Sequence, residues 1–270
     1  MIARKTWREI RFMAIVYLLI FELLAIPVLL LWPELYSDLQ KSSLFKSLSI
    51  DFAKRIFEGV TDRNEQIAYL NWVSTMLYFR SVNLVGLAGA VLMGTSLFAR
   101  ERETQTLEFL LARPVSRLRI LWHKSWPTAL CLVVPVFLVN WSAIFWSKMI
   151  GLELPFYELT LASLHGASFL LMFLAFTTWL SILCRTQAHV AFWVGGITIV
   201  QLGVYMTQRL RPYSLFRLSD FEWYSPILAG NTPLWQMFDP IRGHGHTTYV
   251  LLATALLYLL SWRALRRLEL

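Results

Sequence analysis

Charge is scarce in this chain, and cysteine scarcer still. Of its 270 residues only 16% are Asp, Glu, Lys or Arg, where a soluble domain carries about a quarter. That deficit excludes an ordinary water-soluble domain. The two cysteines, Cys131 and Cys184, lie in or beside apolar segments. They are too few and too badly placed for a disulfide scaffold or a zinc site. No Gly-x-x-x-x-Gly-Lys-Ser/Thr occurs in the sequence, so no phosphate-cradling loop is encoded here. RNA-binding aromatic motifs are also missing. The net charge of +8 is therefore no sign of nucleic acid.

What is present is apolar sequence in long blocks. The chain is 57% hydrophobic, with a mean hydropathy of +0.53. A helix crosses a bilayer in roughly 20 residues, and six blocks reach or approach that length: 12–32, 81–99, 127–150, 164–183, 190–206 and 248–262. The pattern predicts an all-α integral membrane protein with about six transmembrane helices, forming one transmembrane domain over 1–270. The basic N-terminus (Arg4, Lys5, Arg8, Arg11) before the first block looks like the start of a signal peptide. The block is too long for one and has no small-x-small cleavage site, so it reads as an uncleaved span.

The segments between the blocks are patterned too. In 33–70, Phe45, Leu48, Phe52, Ile56 and Val60 recur at three- and four-residue spacing, the mark of an amphipathic helix. Gly59 suits its end, and Asp62 with Glu65 suits the start of another helix. Such helices either pack on the outer ends of the spans or lie in the headgroup plane over a translocation mouth. In the second block, whose helix could begin near Asn71, Gly86, Ala90 and Gly94 repeat every fourth residue. Small residues at that spacing let two helices approach closely in lipid.

Basic residues set the orientation. One side receives the N-terminal cluster, six Lys and Arg between Arg100 and Lys124, Arg185, and the tail Arg263, Arg266 and Arg267. The loops 33–70 and 208–246 carry acids that match their bases. Both termini and the loop 100–124 are thus expected to be cytoplasmic, in a multi-pass protein of the cytoplasmic membrane. Arg209 and Arg211 run against this assignment.

Between the second and third blocks, Thr104 is a candidate N-cap for a short amphipathic helix over 103–113. Leu107, Leu110 and Leu111 fall on one face, and Glu103 and Glu108 sit in its early turns, where they suit the helix dipole. Pro114 ends the helix, and Ser116 can cap the next. Exposed leucines among alternating charges suit docking into a partner's groove. Any charged loop of a polytopic protein is the alternative.

The same segment resembles the coupling-helix signature of type-2 ABC exporter permeases, E-R-E-x-G-T-L-E-x-L-L-x-x-P-V-S-R. Glu101, Arg102, Glu103, Thr106, Leu107, Glu108, Leu110, Leu111, Pro114, Val115, Ser116 and Arg117 stand where that pattern wants them. Gln105 departs from it, in a place where the family has Gly or a small residue. The resemblance implies a permease subunit of an ABC transporter, exporting an unidentified substrate. It implies no cofactor in this chain, ATP and Mg in a separate P-loop ATPase subunit, and a second permease copy or paralogue within the membrane lipid. The coupling residues would be those named, with Glu108, Arg113 and Arg117 pairing with charges on the ATPase. An interfacial helix around Ile2, Trp7 and Ile10 would precede the first span, and short re-entrant helices would fill 221–238.

Polar residues inside the spans are the other candidates. Glu22 lies mid-span, where a carboxylate either contacts a substrate or is a bonded structural group. Asn83, Asn140 and Gln201 could line a substrate path or bond helices together. Arg80 and Lys148 lie near span ends and could snorkel; His165 and His189 read as interfacial. His244 and His246 with Asp239 make a weak metal pattern that does not amount to a site. Two rival readings remain: a membrane-embedded transferase using Asp220, Glu222, Asp239 and His244, and a permease-like subunit that transmits ATPase work without a substrate path.

Overall fold

A computed structural model of the chain describes residues 2–41, 51–112, 114–241 and 245–268, with side chains from residue 3 and, after the first gap, from 56. Helices α1 (Ile2–Leu30), α2 (Trp32–Lys41), α3 (Asp51–Val60) and α4 (Glu65–Val73) come first. A π-helical segment (Ser74–Gly86) then joins α4 to α5 (Leu87–Thr95). Two short helices follow, α6 (Ala99–Glu103) and α7 (Leu107–Leu111), before the long α8 (Arg117–Met149), α9 (Phe156–Leu183) and α10 (Gln187–Met206). The chain closes with α11 (Phe221–Leu228), α12 (Leu234–Phe238) and α13 (His246–Arg266). Among the described residues there is no strand.

Among the described residues six helical stretches are long and apolar enough to span a bilayer, as the hydropathy blocks predict: Ala3–Leu30, Glu65–Glu103, Arg117–Met149, Phe156–Leu183, Gln187–Met206 and His246–Arg266. The helices outrun the blocks because polar caps, not hydropathy, set their ends. The Asn64 side chain accepts from the Gln66 and Ile67 amides, Ser116 from Arg119, and Thr186 from His189. Among the described residues no separate interfacial helix precedes the first span. Between Ile2 and Ile26 there is no Pro or Gly to break the helix, so α1 runs on from the basic turn, with Ile10 buried and Trp7 exposed.

The bundle is built around α9, whose apolar window is 72% buried, against 22% for α1 and α13 and 17% for α10. Small residues make this possible. A Cβ on Gly86 would stand 2.7 Å from Leu170, and one on Gly94 would stand 2.8 Å from Thr177. The every-fourth-residue stripe of the second span therefore meets α9, with Ala90 fully buried between the two glycines.

Both termini and α6–α7 lie at one end of the bundle, where Lys5 meets Glu101 and Leu265 packs with Leu107. The described parts of the stretch 33–70 close the far end. There the Trp32 ring stacks on Tyr36 and meets Tyr69 and Trp72, and the Trp72 indole donates to the Val28 carbonyl at 2.9 Å. Val60 and Leu39 are buried in the main core, which makes the described part of this stretch a packing layer. Phe45 and Leu48 lie outside the described residues. Also at the far end, Arg211 and Arg217 both pair with Asp220 and Glu222, and Tyr205 donates to Asp220 at 2.8 Å. Burial is the main influence on the Asp220 carboxyl and pushes it above the usual range, while the Tyr205 hydroxyl and Arg217 pull it back. Arg211, which ran against the charge rule, is neutralised there.

Candidate functional site

The motif segment 101–117 is not one helix over 103–113 but two turns of helix, α6 and α7, separated by a tight bend. Thr104 closes α6 and does not cap α7. The Gln105 amide donates to the Arg102 carbonyl at 3.1 Å, and the Thr106 amide to the Glu101 carbonyl at 2.8 Å. This paired pattern is a Schellman motif, which puts its penultimate residue in the left-handed region. Gln105 sits there, at φ 55°. A glycine at this position in the resembled signature has its reason in that backbone angle.

The charged residues of the motif are engaged within the chain. Arg102 donates to the Leu183 and Cys184 carbonyls at 3.3 and 3.1 Å, covering the end of α9. Glu103 accepts from the Gln187 amide at 2.7 Å and from its side chain at 2.9 Å, covering the start of α10. It lies in the last turn of α6, not in an early turn of the leucine helix. Arg117 donates to the Leu111 carbonyl at 2.9 Å, closing α7. Glu101, only 7% exposed, pairs with Lys124 at 2.9 Å and with Lys5 at 3.3 Å. Lys124 also donates to the Leu97 carbonyl at 2.6 Å. These contacts make the segment a keystone joining the ends of the spans.

The apolar face points inward as well. Leu107 and Leu111 are buried with Leu97, Phe98, Ile120, Leu121, Ile182 and Leu265, and Leu110 packs against that cluster. The expectation of partner-facing leucines is overturned by the chain's own spans, which take up that face. What α7 presents outward is Phe109, 77% exposed, and the exposed Glu108; Thr106 and Pro114 flank them, exposed too. Arg113 lies outside the described residues. Beside Phe109 a groove of about 790 Å³ opens toward α1, with Arg4, Lys5, Arg8 and Leu110 among its walls.

The four polar span residues do not converge. Glu22 accepts from Ser142 at 2.7 and 2.9 Å and from the Trp146 indole at 3.0 Å, tying α1 to α8. Asn83 donates to the Ser219 carbonyl at 2.8 Å and accepts from its hydroxyl at 2.9 Å. Asn140 donates to Ser163 at 2.8 Å, and the Gln201 side chain accepts from the Leu215 amide at 2.9 Å. Each of them bonds one element to another. His165 is fully buried and not interfacial: its Nε2 donates to the Leu218 carbonyl at 2.7 Å, and its Nδ1 faces the Thr247 hydroxyl at 2.9 Å. Among the described residues no three His, Cys, Asp or Glu gather as metal ligands; His244 lies outside them. The sequence reading missed Ser181, which accepts from the Phe98 and Ala99 amides at 3.1 and 2.9 Å where the second span bends into α6. One serine in an apolar helix gave no periodic signal. Lys124, a charge within the long helix that became α8, was visible but read as a loop marker.

Six candidate spans, with α9 the most buried among them and a short helical bend keyed into the span ends, define a polytopic membrane protein. A family model described as ABC-2 family transporter protein matches residues 2–210, which takes in α1 to α10. The chain belongs to that family, and so to the membrane-embedded transport subunits of ABC transporters. It is also similar to the uncharacterized membrane protein YdbK of Bacillus subtilis, at 25% identity over 183 residues, covering 62% of this chain and 74% of that protein.

Proposed function

We propose that this chain is the permease subunit of an ABC exporter, with its termini end in the cytoplasm, and that a separate P-loop ATPase docks on the surface around Phe109. The exposure of Phe109 carries this reading. A large aromatic ring held out at the tip of a helix that is otherwise locked inward is a poor solvent group and a good anchor for a pocket. Glu108 beside it, with Arg4 and Arg8 across the groove, offers charges of both signs to the partner. Arg117 would pass any displacement of α7 to α8, and Arg102 and Glu103 would pass any displacement of the adjoining α6 to α9 and α10. Motion driven by ATP would thus reach three spans through hydrogen bonds on helix ends. A second copy of the chain, or a paralogue, would complete the pathway.

The test is recovery of a P-loop ATPase with the affinity-purified chain from its native membranes, with wild type and with Phe109→Asp, normalised to permease in the membrane. Phe109→Asp should reduce the ATPase recovered at least tenfold and leave membrane insertion unchanged, because the ring packs against nothing in this chain that the fold needs. Full recovery with Phe109→Asp would remove the docking assignment.

A further inference from the structure

The second span carries a cation where hydrocarbon should be. Its helix starts at Glu65, well before the apolar block, so Arg80 is not at a span end as the sequence suggested. Trp72 marks the far-end level, through its bond to Val28 near the end of α1. Eight residues further in, at 1.5 Å per residue or less in the π segment, Arg80 lies about 10 Å inside that level. Its side chain is exposed on the single chain. Among the described residues its guanidinium meets the Met76 sulfur at 4.0 Å and pairs with no carboxylate. An arginine within the membrane normally faces a bundle interior or a water-filled cavity. Here it faces out of the bundle.

What lies next to it on that face is an apolar slot. Between Val73 and Ala99 the exposed residues of this span fall on one stripe: Arg80, Leu84, Ala88 and Leu92. The last three line a groove of about 460 Å³ whose opposite wall is α1, through Phe12, Val16 and Ile20. That volume is within the range of small-ligand sites, about 300–1,000 Å³. Tyr17 lines the same groove. It is 6% exposed, and its hydroxyl is buried with no hydrogen-bond partner. The π-helical segment that presents Arg80 is 13 residues long, and π geometry is rare and concentrated at functional positions.

We infer that Arg80 and the groove below it form a binding site for an anionic amphiphile, with the anionic head on Arg80 and a single apolar chain lying between α1 and the second span toward Tyr17. This is the substrate class the permease would carry. The transport step rests on the permease reading, whereas the binding does not. A neutral amphiphile would leave the guanidinium unpaired in the membrane, and a cationic one would be repelled.

The binding experiment uses the full chain in phosphatidylcholine nanodiscs with radiolabelled dodecyl phosphate, and with dodecyltrimethylammonium as the cationic probe of equal chain length. Arg80→Gln should weaken dodecyl phosphate binding at least tenfold without weakening that of the cation, and Arg80→Lys should retain most of it. Ala88→Trp, which fills the slot and leaves the charge, should abolish dodecyl phosphate binding. Equal affinity of wild type and Arg80→Gln, or of wild type and Ala88→Trp, would overturn the site. A second arm adds the ATPase in proteoliposomes, with its association verified in the same preparation. Stimulation of ATP hydrolysis by dodecyl phosphate, lost in Arg80→Gln, supports transport. Binding without stimulation, despite an associated ATPase, would mark a standing lipid contact and overturn the substrate assignment.

Discussion

The bend at Gln105 should respond to substitution in opposite directions, depending only on how well the new residue accepts φ 55°. A side chain in the left-handed region costs about 1–2 kcal/mol, and glycine gives back about 0.5–1 kcal/mol of that through its freedom in the unfolded chain. Gln105→Gly should therefore stabilise the bend by about 0.5–1 kcal/mol. Valine, branched at Cβ, fits the left-handed region worst, so Gln105→Val should destabilise the bend by about a further 1 kcal/mol. The reporters are the amides of residues 105 and 106, which donate to the Arg102 and Glu101 carbonyls. Hydrogen exchange in nanodiscs should slow about twofold to fivefold at both amides in the glycine variant, and quicken about fivefold in the valine variant, since 1.4 kcal/mol is tenfold. Indistinguishable exchange in the two variants would mean that the bend is not held by this backbone angle. Glycine in the resembled signature would then owe nothing to this backbone angle.

Three further outcomes follow from the packing. Leu107→Asp puts a charge into the buried cluster with Ile120, Ile182 and Leu265, and should lower detergent-extracted folded protein severalfold, by size exclusion, where Phe109→Asp does not. Gly94→Ala places a methyl 2.8 Å from Thr177, whereas Gly203 has open space around it. The first should cost about 1–3 kcal/mol and lower the melting temperature in detergent, and Gly203→Ala should leave it unchanged or raise it slightly, since glycine inside a helix costs about 0.5–1 kcal/mol relative to alanine. In a chain with Cys131 and Cys184 replaced, single cysteines at Ser37 and Ser116, both exposed at opposite ends of the bundle, should label from opposite faces of sealed vesicles. Same-face labelling would refute the orientation.

Much of the architecture was legible because hydropathy and caps are local properties. The six blocks became six spanning helices, Ser116 capped α8, and Gly86 and Gly94 marked a helix contact, though not which helix made it. The direction of the α7 leucines was not legible. Periodicity identifies an apolar face but not whether the same chain or another covers it, and here Ile120, Ile182 and Leu265, distant in sequence, do so. The roles of Arg102 and Glu103 were hidden for the same reason, since their acceptor and donor groups are backbone at residues 183, 184 and 187. Arg80 was misplaced because hydropathy started the span at Ser81, sixteen residues after the helix that carries it begins at Glu65.

Site-specific crosslinking most directly tests the claim that the Phe109 surface couples this chain to an ATPase. A photoreactive residue at position 109 or at position 107, in native membranes containing the partner ATPase, reads which side of α7 meets the partner. The account predicts a strong permease–ATPase adduct from 109 and none from 107, whose side chain is buried. An adduct from 107 with none from 109 would contradict it, and would restore a partner-facing leucine helix.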